Sequence, residues 1–374
     1  MGESRKHNLS ARLREHLRGC GLRPGDRLPG ERELSLRLGV GRTALRPVLD
    51  VLEVEGVIER RPQAGTFLRV VPPPAPHKTK IVLIAPFGET GEAVRETDAL
   101  WLHHVVSAFE RVAAPWGARL ELVDQAPHAG DPCALKGLVR QAVQDEAKAV
   151  VLLHPLGSRE KISCALALLH DLGVHPVVVS ARTYPGLASQ VYFDSGWGAY
   201  LATRHLLELG HWRIGFAGAP AGHEWVRERI AGYEQALGAA EVEPGARWVW
   251  TPEPTERLPS AQDGALALEQ WLGLPASQRP SGIVAANDVV ALGLLRAARA
   301  HGLQAPRDFS LVGFDNDPAA LLAGLSTIER PTEALGEAAA RVTLERLASS
   351  QSAAAVTHRL RPVFIERKTT GPPP

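Results

Sequence analysis

Cysteine is scarce: Cys20, Cys133 and Cys164 are the only three in 374 residues, far apart and odd in number. No CxxC spacing exists, so neither a disulfide framework nor a cysteine zinc site is expected. The chain also lacks HxH and HExxH spacings, which removes the usual histidine metal motifs. Long apolar runs are missing. The most apolar stretches, such as 81–86 and 149–153, are strand-length and far below a membrane span. Residues 1–17 are charged throughout and contain no apolar core of the kind a secretory leader needs. No P-loop, no Gly-x-Ser-x-Gly and no ordered Ser/His/Asp set stands out, so the commonest enzyme chemistries lack their residues. The expectation is a cytoplasmic protein with no membrane partner, no metal and no cofactor, and not an enzyme.

With 45% apolar residues, the chain can bury a large core and should hold two or three compact units. The formal charge of +1 conceals an asymmetry. Residues 1–70 carry 14 Lys and Arg against 9 Asp and Glu, while the remainder is net acidic. A small basic unit on a mildly acidic one suits a polyanion binder carried by a domain with another task.

Within the basic unit, Leu9, Leu13 and Leu17 line one face of a first helix that ends at Gly19-Cys20-Gly21. Two further helices follow around the Gly39 turn. In the second of these, Leu45, Val48, Leu49 and Leu52 fall at i, i+3, i+4 and i+7, one apolar stripe. Arg42 and Arg46 are i, i+4 neighbours on another face. That face is either a solvated basic surface or one built for a DNA major groove, where arginine grips guanine through two hydrogen bonds. Residues 56–60 and 66–70 read as two short strands around a Pro-Gly turn at 61–65. Three helices and a ribbon make a winged helix, with Gly65 allowing close backbone approach to a phosphate or the minor groove.

These residues resemble the DNA-binding domain of the GntR family. The resemblance lies in Pro24-Gly25-Asp26-Arg27-Leu28-Pro29-Gly30-Glu31-Arg32-Glu33-Leu34 and the recognition-helix run Val40-Gly41-Arg42-Thr43-Ala44-Leu45-Arg46. It continues in Leu52-Glu53-Val54-Glu55-Gly56-Val57 and the wing Gln63-Ala64-Gly65-Thr66-Phe67. It implies that Arg32, Arg42, Thr43, Arg46, Gln63 and Gly65 meet double-stranded DNA. There are three departures. Gly30 and Gly41 stand where the family has hydroxyl caps, weakening both helix starts by a few tenths of a kcal/mol. Pro47 follows Arg46; a proline six residues into a helix removes one backbone bond and typically costs ~3 kcal/mol. A kink just past Arg46 is therefore expected.

Residues 71–79 read as a linker, with four prolines between 72 and 76 favouring extended polyproline II. From residue 80 onward, strand-length runs alternate with helical ones: 81–86, 100–114, 119–123, 133–144, 149–154, 162–172, 176–180, 191–193, 198–209, 213–217, 227–239, 282–285, 289–300 and 310–314. The rhythm predicts α/β architecture with doubly wound parallel sheets, which an enzyme or a binding protein could use equally well.

Specific residues separate the two. Asp194-x-x-x-Gly198, the run from His205 to Gly215, the run from Arg229 to Leu237, Ala286-Asn287-Asp288 to Gly293, and Phe309 to Asn316 followed by Leu325 to Pro331 resemble the effector domain of LacI/GalR-type repressors. That domain is a relative of periplasmic sugar-binding proteins. The resemblance implies an effector and dimerisation domain over 80–374, with two lobes and three crossings near Gly210, Phe314 and Arg330. It places Trp101, Arg182, Arg229 and Asp288 on a small effector, with Asp194, Trp197, Trp225 and Trp250 as further candidates. Planar hydrogen-bonding groups and an aromatic face are what polyol recognition needs. Other readings stay open: Arg229 as an ion-pair partner of Glu228 or Glu234, Asp288 as a helix cap, Trp101 as core. Trp212, His205 and His211 read as packing residues.

The combination is similar in architecture to the arabinose repressor of bacilli. It implies a homodimeric regulator, most simply a repressor of carbohydrate genes, on a pseudo-palindromic operator. Alternatives are a nucleoside or purine effector, an activator, or a sugar-binding transport component. An aminotransferase partner for such a head needs a Schiff-base lysine, yet after Lys161 only Lys368 remains.

Overall fold

The computed structural model describes residues 9–10, 12–14, 16–17, 19–61, 64–70, 79–87, 96–128, 131, 133–220, 222–243, 247–253, 259–348 and 354–374, without the side chains of 96–100. Gln63 and nearly all of the proposed linker lie outside the described residues.

In the head, α1 (Glu31–Leu38) and α2 (Arg42–Val54) begin after Gly30 and Gly41, whose extended backbones cap neither helix with a side chain. The turn between them is made by Gly39 at φ 65°, the left-handed conformation that glycine adopts without strain. Leu45, Val48, Leu49 and Leu52 are buried against Leu9, Leu13 and Leu17, as the helical spacing predicts. Antiparallel strands β1 (Ile58–Arg61) and β2 (Gly65–Leu68) form the ribbon. Helix α2 runs from 42 to 54 as one element with Pro47 inside it. The apolar stripe on the far side of α2 holds the helix in place while one ladder bond is absent.

The larger region contains two parallel sheets. The first has six strands in the order β13 (Thr357–Leu360), β7 (Ser189–Phe193), β6 (Pro176–Val179), β5 (Ala149–Leu153), β3 (Lys80–Ala85), β4 (Arg119–Asp124). The second has four: β11 (Ser310–Val312), β10 (Gly282–Ala285), β8 (Ile214–Ala217), β9 (Arg247–Trp250). Each sheet buries both faces beneath helices, which is why β3, β5, β6 and β8 are apolar without alternation. On the first sheet, α3 (Glu96–Ala113) and α11 (Thr332–Ala348) cover one face, while α4 (Ala134–Gln144) and α5 (Arg159–Asp171) cover the other. On the second, α6 (Ser195–Glu208) and α7 (Glu224–Ala239) lie opposite α8 (Ala261–Gly273) and α9 (Asp288–Ala300).

The crossings between lobes differ from the expected positions. Helix α6 packs on α7 and puts Ala202 and Leu206 into the second lobe's core, so the chain has already crossed at Asp194. Gly210 and Phe314 lie inside the second lobe; the crossing near Arg330 is present, between β12 (Thr327–Glu329) and α11. The remaining crossing is at 361–362, between β13 and β14 (Val363–Ile365), the latter antiparallel to β12. Short helix α10 (Pro318–Ala323) completes the second lobe.

Candidate functional site

Strand order reverses between β3 and β5 in the first sheet and between β8 and β10 in the second. Parallel α/β sheets bind ligands at such points, beyond the carboxyl ends of the strands. Arg182, Trp225, Asp288 and Phe314 to Asp317 all follow such strand ends. A cavity of about 420 Å³ lies beside the last of these, lined by residues including Trp101, Asp315, Asn316, Glu329, Arg330 and Thr332, while Arg182, Trp225, Arg229 and Asp288 are not part of its lining.

Its charge centre is Asp315. The Oδ1 atom lies 3.4 Å from Arg229 Nη2 and 3.4 Å from Arg330 Nε. Both distances exceed the 2.7–2.9 Å typical of tight charge-assisted bonds, so the carboxylate retains capacity for another donor. Arg229 is 3% exposed, donates to the Ala286 carbonyl, and stands 3.4 Å from the Phe314 ring centroid and 4.4 Å from that of Trp225. Burial lowers its pKa to about 10, against the opposing pull of Asp315, so it remains a cation at neutral pH. Its partner is therefore Asp315 rather than Glu228 or Glu234.

Asp288 is fully buried. Its Oδ1 accepts from Thr327 Oγ1 at 2.6 Å and its Oδ2 from the Asp317 amide at 2.8 Å. Burial, then the neighbouring Asp315 charge, raises its pKa to about 7. The structure thus gives this side chain the work of pinning the 313–317 loop. Capping of α9 falls to Asn287, whose side chain accepts from the Val290 amide at 3.0 Å. Gly313 makes the arrangement possible, since a Cβ there would stand 2.1 Å from Asp288 Oδ1.

Trp101 belongs both to the core and to the cavity wall, so the two readings of it coexist. Its Nε1, Arg229 Nε and Arg330 Nε are buried donors with no hydrogen-bond partner among the described residues. Arg330 also lies over the Trp101 ring, 5.7 Å from the centroid. Arg182 follows β6 and donates to the Gly157 carbonyl at 2.5 Å. Asp194 caps α6 through the Trp197 amide and pairs with Arg359 at 2.7 Å, so its carboxylate secures the first crossing. Trp197 stacks on Tyr200 and beneath Arg361 at the same place. Trp250 sits on edge strand β9 and does not line the cavity.

Asp315 is the residue that the sequence reading passes over, although the Phe309 to Asn316 run is singled out as a block. Its backbone φ of 121° is the feature that marks it, and nothing in the sequence announces that value. Two histidines behave as packing residues: His211 meets Ser281, Ser310 and the Gly371 carbonyl, and His205 lies against Phe364. Trp212 does not, being 62% exposed, because the turn after α6 directs it away from the sheet. No group of three metal-ligating side chains occurs among the described residues. No helix among them is long and apolar enough to cross a membrane.

On the head, Arg32, Arg42, Thr43 and Arg46 are all exposed. Arg46 Nε is held by Glu31 at 3.0 Å, whereas Arg42 has no ion pair or hydrogen bond among the described residues. Gly65, at φ 109°, would place a Cβ 2.7 Å from Arg27 Nε. At that φ any residue with a side chain is strained, so glycine is required there whatever the wing meets.

Residues 5–68 match the family of bacterial regulatory proteins, gntR family, and residues 203–370 match the periplasmic binding protein-like domain. The chain is 26% identical over 282 residues to the HTH-type transcriptional repressor PurR of Mannheimia succiniciproducens, covering 75% of this chain and 80% of that one. It is 31% identical over 217 residues to PurR of Klebsiella pneumoniae, where the match spans 56% of this chain and only 60% of the relative's length. Among solved structures, a LacI family transcriptional regulator of Enterococcus faecium with bound ribose aligns with a TM-score of 0.61 at 23% identity, over 79% of this chain and 99% of that one. The last likeness speaks to the fold. With the winged head and the two-lobed cleft, these matches make the chain similar to transcriptional regulators in both of its parts: residues 5–68 to the gntR family and residues 203–370 to the periplasmic binding protein-like domain.

Proposed function

We propose that the chain is a repressor whose hold on a pseudo-palindromic operator is set by a small polyol bound between the two lobes. The observation that carries this is Asp315, loosely shared by Arg229 and Arg330 beside Trp101. A carboxylate and a guanidinium can address paired hydroxyls, and an indole can cover a C–H face. The ribose in the E. faecium regulator and the repressor names of the relatives support the same reading. Two copies related by two-fold symmetry would present two winged heads to two half-sites. Closure of the lobes would couple effector to DNA by about 1–3 kcal/mol, and the coupling must be reciprocal.

The DNA arm is tested by selecting bound duplexes from a random library with the full chain, then measuring affinity against salt. Arg42→Ala is expected to lower specific affinity by about 1–3 kcal/mol and relax preference at one base position. Unchanged affinity and preference in both Arg42→Ala and Arg46→Ala would defeat the recognition-helix assignment.

A further inference from the structure

The loop that carries Asp315 is held in a conformation it would not adopt alone. Asp315 and Asn316 have φ values of 121° and 58°, two consecutive non-glycine residues on the side of the backbone map that L side chains avoid. Three different segments hold the three loop residues. The Asp315 amide donates to the Ile328 carbonyl at 2.8 Å, beside β12. The Asp317 amide donates to Asp288 Oδ2 from α9. Asn316 is held through its side chain: Nδ2 donates to Glu329 Oε1 at 2.9 Å, and Oδ1 accepts from Arg367 Nη2 at 2.5 Å.

Arg367 belongs to the carboxyl-terminal segment, far from the cavity in sequence and absent from its lining. It is itself anchored. Its amide donates to Ser326 Oγ at 2.9 Å and its Nη1 to the Leu325 carbonyl at 2.7 Å. One planar guanidinium thus spans a backbone carbonyl and the Asn316 side chain, a geometry that an ammonium group cannot reproduce. The Asp315 carboxylate, in contrast, has two long contacts among the described residues, to Arg229 and Arg330.

We infer that Arg367 is a positioning residue for the effector: through Asn316 it keeps the Asp315 carboxylate aimed into the cleft between Arg229 and Arg330. The inference rests on the proposed effector reading of that cleft. It assigns the carboxyl-terminal segment a part in ligand binding, beyond closing the second lobe.

The test uses the full chain. A thermal-shift panel of D-ribose, L-arabinose, D-glucose, D-gluconate and adenosine identifies the compound with the largest effect, which is then titrated calorimetrically. Arg367→Ala and Asn316→Gly are each expected to weaken binding about tenfold, with the double variant no weaker than the poorer single. Glycine accepts the φ of residue 316 without strain, so Asn316→Gly should lose affinity without losing thermal stability. Because Asn316 also lines the cavity, a tail that merely packs would instead leave the affinity of Arg367→Ala unchanged. Loss of binding in Asp315→Asn with Arg367→Ala within about twofold of the parent overturns the positioning role alone, as do multiplicative losses in the double variant. Full binding by Asp315→Asn, or no response to any compound, overturns the cleft reading beneath it.

Discussion

Two aspartates separated in the chain by helix α9 and strand β11 have opposite fates. Asp288 commits one oxygen to the Asp317 amide in the loop that carries Asp315 and the other to Thr327 on β12, whereas the Asp315 carboxylate has two distant cations. Both are Asp in a recognisable block, and only burial and partner geometry tell them apart. Glu228 shows the same dependence on surroundings. Burial, with Glu224 and Asp194 nearby, raises its pKa from 4.5 to about 7. A carboxyl raised in this way binds its proton more tightly in the folded chain, so its contribution is intact below about pH 4.5 and is lost as pH climbs to about 7. Glu228→Gln removes that loss. The melting temperature of the variant minus that of the parent is expected to grow across this window and then level off, and a flat difference would contradict the assignment.

At the scale of elements, α5 and α6 each begin three residues before the apolar pattern does. Ser158 accepts from the Lys161 amide and Asp194 from the Trp197 amide, so polar caps set the starts while periodicity reports only the buried face. Strands β3, β5, β6 and β8 are plain in the sequence because sheets covered on both faces demand unbroken apolar runs. The strands β12, β13 and β14 are not, since β13 and β14 are largely exposed and their pairing partners lie far away in the chain. Pro47 is a local helix-breaking signal that leaves α2 unbroken, with the apolar stripe of the helix buried around it. The lost bond still has a cost. Pro47→Ala restores the donor to the Thr43 carbonyl and is expected to stabilise the head by roughly 1–3 kcal/mol, read by denaturant unfolding of the full chain. No gain would mean that the helix has adjusted fully to the ring.

The two lobes meet through opposite charges. Arg159 at the start of α5 grips both oxygens of Glu224 at 2.9 Å, where α7 begins in the other lobe, and also donates to the Thr183 carbonyl. Arg359 on β13 pairs with Asp194 at the crossing. These pairs are partly exposed and individually worth little in stability, yet they act on the relative position of two rigid bodies, where small energies shift populations. Arg159→Glu is expected to favour a more open chain, seen as a larger radius of gyration by small-angle X-ray scattering. Adding Glu224→Arg is expected to restore the parent value. An unchanged radius in Arg159→Glu would show that other contacts set the cleft.

Composition, periodicity and capping signals by themselves determined the winged head, the α/β rhythm and the division into a basic and an acidic unit. Each of these depends on residues close together in the chain, where side-chain spacing and backbone preference act directly. Only the tertiary structure decided where the lobes cross, which aspartate faces the cleft, and that Arg367 reaches the loop at Asn316. Those outcomes depend on burial and on partners distant in the chain, as with Arg367 and Asn316, and no local pattern encodes which distant group will stand opposite. The arginines of α2 are legible as exposed cations from spacing alone, but that Glu31 holds Arg46 and not Arg42 follows from how two helices pack.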